Sequence, residues 1–480
     1  MTNDEGGTDD EEYRVKAVLD RTNVTMEVWQ GATFGCVQCH SHPYDPFDHR
    51  EFYEAYAFFN NTSDTDKTSD EPTAMLLSPA EQQQKEQLRK IVDGFVQEGD
   101  TLSENYRRSF AQFQAIQAAR VPVLRELPDS AARKSFVFNR GNWLVHTDEV
   151  APAVPEVVSA FAQLPSDNRL GLAQWLVDRN NPLTARVIVN RFWEQLFGRG
   201  IVETIEDFGT QGHAPTHPEL LNWLAIEFME QDEWRVKALL RRIVLSATYR
   251  QHSAVTADAQ EKDPYNLYLA RGPRIRLSAE QIRDQALHVS GLLSEKMYGP
   301  SVMPAQPDGV WNTIRHIGNW TTSENGDQHR RGLYTFWRRV SPYPSMIAFD
   351  TPSREFCVSR RVRTNTPLQA LITLNDPVFI EASAALAQRA FHQSNNDFTK
   401  AIATAYELAT CHPPDEARLA ALTQFFEKTK AEYGTPEAQP IALSEKHLAQ
   451  SKTEKLSPEM FALHQTANVI LNLDEVIMKQ

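Results

Sequence analysis

The chain has 480 residues and a formal net charge of −14, with 41% hydrophobic, 10% aromatic and 23% charged residues. At about 100–200 residues per domain this length gives two to four domains or one large one, with a core that needs no staples, and the composition excludes a collagen-like or globally disordered chain. No apolar run approaches the ~18 residues that span a bilayer, and the acidic balance argues against nonspecific nucleic-acid binding, which needs basic patches to displace counterions.

Residues 1–12 are acidic and lack the basic start and apolar stretch of a signal peptide. Residues 13–60 carry apolar and aromatic positions in helical rhythm, broken by Gly31, Gly35 and the Pro43/Pro46 pair. Residues 60–74 read as a polar loop. From Ser78 to about Ala119 two amphipathic helices are expected. Leu88, Ile91, Val92 and Phe95 line the first, and Leu102, Tyr106, Phe110 and Phe113 line the second after a break at Gly99. Residues 120–165 are Pro-punctuated, with Phe136-Val137-Phe138 as a short strand.

Helices then dominate. Leu170 to Val177 is one, and Thr184 to Phe197, ended by Gly198, is the next. His217-Pro218-Glu219 starts a third, with Pro at the first helical position. Trp234 to Tyr249 is a fourth, and Ser278 with Gln281 forms a capping box before a fifth. Residues 295–365 are rich in Gly, Pro and Arg, and helices resume from Pro367. The fold class is mainly α: a helical segment at 1–78, a helical hairpin or coiled linker at 79–127, and a large α-helical domain at 128–480 with irregular segments packed on it.

Of the four cysteines, two fall in Cys36-Val37-Gln38-Cys39-His40. C-x-x-C-H is the attachment signature of c-type haem. Two thiols three residues apart on a helical turn reach two haem vinyl groups, and the next histidine reaches the iron as proximal ligand. Three rival readings stand beside it. One is a thioredoxin-like redox pair, which wants a βαβ context. Another is zinc held by Cys36, Cys39 and His40 or His42, for which a second ligand pair at the usual spacing is missing. The third is a coincidental pair of buried cysteines. His42, two residues from His40, lies on the same side of the iron, whereas His49, Met26 and Met75 are freer to supply a sixth ligand.

The residues around this motif resemble a known family. Gly35 to Phe47, with His42, Asp45 and Pro46 after the C-x-x-C-H, followed by Tyr53-Glu54-Ala55-Tyr56-Ala57-Phe58-Phe59, resembles the second type of planctomycete cytochrome c domain. The remainder resembles the planctomycete-specific C-terminal domain of unknown function that accompanies it. The matching stretches include Arg140-Gly141-Asn142-Trp143, Asn190-Arg191-Phe192-Trp193, Asp207-Phe208-Gly209, Ser246 to Gln251, Arg331-Gly332-Leu333-Tyr334 and Thr366 to Leu371. The resemblance implies covalent haem c on Cys36 and Cys39 with His40 on the iron. It also implies a periplasmic or extracellular full-length protein, with a redox partner protein or an upstream cytochrome c domain as electron partner and an association with polysaccharide breakdown. Members begin with a secretion signal, so a chain lacking one is expected to be a truncated form.

Other constellations carry weaker expectations. Arg354, Arg360, Arg361 and Arg363 around Cys357 form a candidate anion or substrate site, because arginine suits bidentate carboxylate or sulfate binding; an ion-pair network is the alternative. Asp45 and Asp48 are candidate acid/base groups or turn residues. Trp311, Trp320 and Trp337 are a candidate sugar platform or core residues. His213 and His217 have a zinc-like spacing, but Pro215 and Pro218 forbid the continuous helix it requires. The expected function is electron transfer by a c-type haem protein, within an extracytoplasmic oxidoreductase acting on carbohydrate. The alternatives are a haem-free glycan- or protein-binding scaffold and a metal-dependent hydrolase using His42, Asp45 and arginines.

Overall fold

The computed structural model describes residues 9–63, 72–307, 309–310, 320–338, 341–354, 357–433 and 457–479. The chain divides into two compact units. One runs to Ile188 and includes Glu206–His213; the other holds Val189–Ile205 and continues from Ala214. The sequence bounds at 78 and 127 follow composition, whereas these units follow contacts.

In the first unit, α1 (Asp10–Gln30) begins at Asp9, whose side chain accepts from the Glu12 N–H, and three acids follow in its first turn, where the helix dipole favours them. Gly31 ends it in the left-handed conformation. A 3₁₀ turn over Phe34–Gln38 leads to α2 (His49–Asn60). Asp48 and Glu51 close a capping box there. The two helices bury Val15, Val18, Leu19 and Met26 against Phe52, Tyr53 and Tyr56, with Phe34, Val37 and Phe138 filling the space between. Each such side chain contributes about 1.5–3 kcal/mol of burial.

The expected hairpin is α3 (Pro79–Gln97) and α4 (Glu104–Ala115). The strands β1 (Thr73–Leu76) and β2 (Ala119–Pro122), which the sequence did not suggest, pair antiparallel at its base. Within the hairpin Val92 is buried, but Ile91 is exposed. Tyr106 of α4 meets Phe95 of α3 across the helix pair and stacks on Phe110 of its own helix. The strand expected at Phe136–Phe138 is β3 (Ser135–Phe138), paired with β4 (His146–Val150). After the single turn α5 (Glu156–Ser159), α6 (Arg169–Leu176) buries Trp175 completely, with its indole N–H on the Ala162 carbonyl. The helix α7 (Thr184–Phe197) follows as expected; it starts in this unit, and from Val189 its residues belong to the second.

The second unit holds α8 (Pro218–Glu230), α9 (Val236–Val244), α10 (Ala257–Lys262), β5 (Ile275–Arg276), α11 (Ala279–Ser290) and α12 (Pro344–Ala348). It continues with α13 (Pro367–Asn375), α14 (Pro377–Gln393), α15 (Phe398–Thr410), α16 (Glu416–Tyr433), α17 (Pro458–Leu471), α18 (Asp474–Ile477) and β6 (Met478–Lys479), which pairs with β5. The capping box at Ser278 and Gln281 opens α11 as expected. The fourth helix is shorter than its periodicity suggests. Glu233 and Trp234 take positive φ before it, and the chain turns again after Val244. The core is built on α14, whose Ala382, Leu386, Ala387 and Ala390 are fully buried against α11, α15 and α17. Small residues at these positions let the helices approach closely. No single described helix is long and apolar enough to cross a membrane. α13 and α14 pass that test only as a pair bent by 61°, and α14 contributes to the core.

Candidate functional site

Cys36 and Cys39 sit on one tight turn, Cys36 inside the 3₁₀ segment and Cys39 as its last flanking residue. Both are free and exposed, while the neighbouring Phe34 and Val37 point into the core and anchor the turn. His40 is exposed. Its Nδ1 lies 2.7 Å from the Ser41 carbonyl. A carbonyl only accepts, so Nδ1 is the donor there, and in the neutral ring this assigns the lone pair to Nε2. That is the tautomer of a metal-ligating histidine held by a backbone carbonyl.

His42 is spent differently. Its Nδ1 accepts from the backbone N–H of Asp45 at 2.8 Å and of Tyr44 at 3.3 Å. The proton therefore sits on Nε2, 3.1 Å from Thr33 Oγ1. Both ring nitrogens of His42 are thus engaged in fastening its own loop. Asp45 is buried and its Oδ1 accepts from the Thr210 N–H at 2.7 Å and the Thr210 hydroxyl at 2.8 Å. Asp48 caps α2 and accepts from the Ser41 hydroxyl. These two carboxylates hold the loop in the conformation seen. Of the residues considered for a sixth ligand, Met26 is buried in the core and Met75 is exposed on β1. His49 gives its Nε2–H to the Gln38 carbonyl at 3.0 Å.

The donor set fits a covalently held haem: two solvent-facing thiols three residues apart and an imidazole with Nε2 available. It fits zinc less well. Among the described residues no group of three or more His, Cys, Asp or Glu side chains is placed to hold a metal ion. The turn is flanked by helices, not by the βαβ unit of a thioredoxin-like pair.

The four arginines of the second unit do not share one ligand-facing arrangement of their own; each has a protein partner. Arg354 lies over the Trp337 ring at 4.7 Å, Arg360 donates to the Glu203 carbonyl, and Arg361 pairs with Glu280 at 2.8 Å. Arg363 pairs with Glu194 at 3.0 Å. Burial is the largest single influence on the Glu280 carboxyl and pushes it up, but the hydrogen bond and charge of Arg361, with bonds from the Glu280 backbone and Ser278, together hold it below the usual carboxylate range. Trp320 packs on the core with its indole N–H on the Pro304 carbonyl. Trp311 lies outside the described residues. His217 caps α8, with Nδ1 near its neighbour's hydroxyl.

A family model described as PSD1, protein of unknown function (DUF1553), matches residues 168–426. The chain belongs to the PSD1 family. A second model, PSCyt2, protein of unknown function (DUF1549), matches residues 1–64 and so contains the C-x-x-C-H turn. These are the planctomycete C-terminal and cytochrome-type families that the sequence resembles. No curated protein and no solved structure matches the chain. The PSD1 match covers most of the second unit's helices, whereas residues 65–167, with the hairpin and the β3–β4 ribbon, fall under neither model.

Sequence reasoning missed the partners of the turn. Gly141 takes φ +76°, and a Cβ there would stand 2.8 Å from Cys39 Sγ. Tyr53 gives its hydroxyl to the Gln38 carbonyl at 2.8 Å. The Arg140-Gly141-Asn142-Trp143 stretch was visible as a motif, but nothing in its composition points to Cys39, about a hundred residues earlier.

Proposed function

We propose that this PSD1 protein is a c-type haem protein, with haem attached through Cys36 and Cys39 and ligated by His40. The observation that carries the reading is the turn itself: Cys36 and Cys39 are free and exposed, and the exposed His40 that follows turns Nδ1 to the Ser41 carbonyl at 2.7 Å, the orientation that leaves Nε2 for a ligand. When bound, such a haem supplies one-electron chemistry. The chain's own part is to present the thiols on an anchored turn and to orient the imidazole. His42, Asp45 and Asp48 keep the following loop folded back, so that it does not compete for the iron.

The reading places the protein outside the cytoplasm, where covalent haem attachment takes place. Its role is electron transfer to or from a redox partner protein or an upstream cytochrome c domain, in an oxidoreductase serving polysaccharide breakdown. The test is co-expression of the chain, behind an export leader, with haem-maturation machinery. The reading expects a covalent mass adduct and a Soret band near ~410 nm, both lost in Cys39→Ser. A soluble, folded, exported chain without adduct overturns it.

A further inference from the structure

The two thiols of the turn are not held alike. The Gln38 carbonyl, which belongs to the peptide linking Gln38 to Cys39, accepts from both Tyr53 (2.8 Å) and His49 (3.0 Å). These two donors lie four apart on α2 and therefore on one face; their rings meet edge to face at 5.3 Å. Tyr53 is fully buried, so the clamp rests on the core and not on a mobile side chain. Burial pushes its phenol up, and the nearby Cys39 sulfur adds to this, so the hydroxyl stays a donor. On the other side Gly141 closes on the Cys39 sulfur, with room for a hydrogen and not for a methyl: a Cβ would fall 2.8 Å from Sγ and 3.4 Å from the Gln38 carbonyl oxygen. The 3₁₀ geometry over Asn139–Gly141, with Arg140 at φ +53°, brings that glycine in. Among the described residues Cys36 has no equivalent clamp.

We infer that Cys39 is the register-setting anchor of the attachment turn and that Tyr53, His49 and Gly141 are its positioning residues, with Cys36 the adaptable second anchor. The inference rests on the haem reading above. Each thioether forms by addition of S–H across a vinyl C=C, sulfur to one carbon and hydrogen to the other, so no electron acceptor is required. The first addition fixes the orientation for the second. Cys39 is directly followed by His40 in the chain, so attachment there also places the iron ligand.

The test has two arms on the full chain. In the haem-free protein, iodoacetamide labelling followed by peptide mass analysis is expected to modify Cys36 about threefold or more faster than Cys39, because the Cys39 sulfur, although exposed like Cys36, is approached on one side by Gly141 and access governs the rate for similar thiols. Tyr53→Phe, which keeps the ring and loosens the turn, is expected to narrow that ratio at least twofold, and Gly141→Ala, which crowds the Cys39 sulfur, to widen it at least twofold, with Cys357 and Cys411 labelling and the far-UV spectrum unchanged. In the haem-loaded arm, Cys36→Ser is expected to retain a single-thioether adduct with a native-like spectrum. Cys39→Ser gives none, and Tyr53→Phe shifts the spectrum. Equal wild-type rates, or a ratio unmoved by both variants, overturn the clamp whatever the haem content. The expected ratios without any wild-type adduct overturn the haem reading alone.

Discussion

Replacing Asp45 by Ala tests whether this carboxylate is a structural clasp or a reactive group. Its Oδ1 accepts two hydrogen bonds from Thr210, and the whole side chain is buried. Hydrogen bonds to a charged group contribute about 1.5–3 kcal/mol each. Thr210 itself is exposed, so water recovers part of what is lost, and we expect a net cost of about 2–3 kcal/mol. For a unit of this size that is ~4–12 °C in midpoint, at about 2–4 °C per kcal/mol. Asp45→Asn keeps an acceptor in the same place and is expected to cost about 1 kcal/mol. Gly209→Ala attacks the clasp from the other side, because its Cβ would lie 2.3 Å from Asp45 Oδ2 and 2.7 Å from Oδ1. We expect about 2–4 kcal/mol, the upper range of overpacking. Calorimetry or denaturant unfolding reads all three. A loss below about 0.5 kcal/mol for Asp45→Ala, well inside the range of ordinary surface changes, would refute the clasp.

Two buried groups give opposite pH dependences. His464 is buried with neither ring nitrogen hydrogen-bonded, and burial lowers its pKa to about 4. The unfolded chain binds that proton first, so stability falls as pH drops from about 6.5 towards 4, by up to about 3 kcal/mol; His464→Leu should flatten this limb in urea titrations. For Asp376, which caps α14, burial raises the pKa to about 6. Its contribution is full below about 3.8 and lost as pH rises through 6, so Asp376→Asn should stabilise the protein at pH 8 by about 2–3 kcal/mol while keeping the cap. No gain at pH 8, with the acid limb equally unchanged, would contradict the assignment. Trp175→Ala removes a fully buried indole and its bond to Ala162, and about 3–5 kcal/mol should be lost in equilibrium unfolding.

Much of the helical framework was legible because its signals are local. Ser278/Gln281, Pro218 and Leu170 to Val177 announce their helices through a capping box, a proline and periodicity, and the observed helices start at Ala279, Pro218 and Arg169. The ribbon under the hairpin was not legible. β1 and β2 are four residues each, separated by two helices, and their pairing is a long-range event that no short window records. At the site, Cys36, Cys39 and His40 are readable from spacing alone. What holds them is not: Tyr53 reads as another core aromatic, and Gly141 reads as a turn residue until its distance to the sulfur is known. For the arginines around Cys357 the sequence offered both an anion site and an ion-pair network; Arg361 and Arg363 follow the second, and what the sequence does not record is the partners, Glu280 and Glu194.

The central claim is that the Cys36–His40 turn carries covalent haem. Intact-mass measurement of the exported chain, made with haem-maturation machinery and compared with Cys36→Ser and Cys39→Ser, tests it most directly. The account predicts a haem-sized adduct that survives denaturation in the wild type, persists through one thioether in Cys36→Ser and is absent in Cys39→Ser. A folded wild type at its unmodified mass would contradict it.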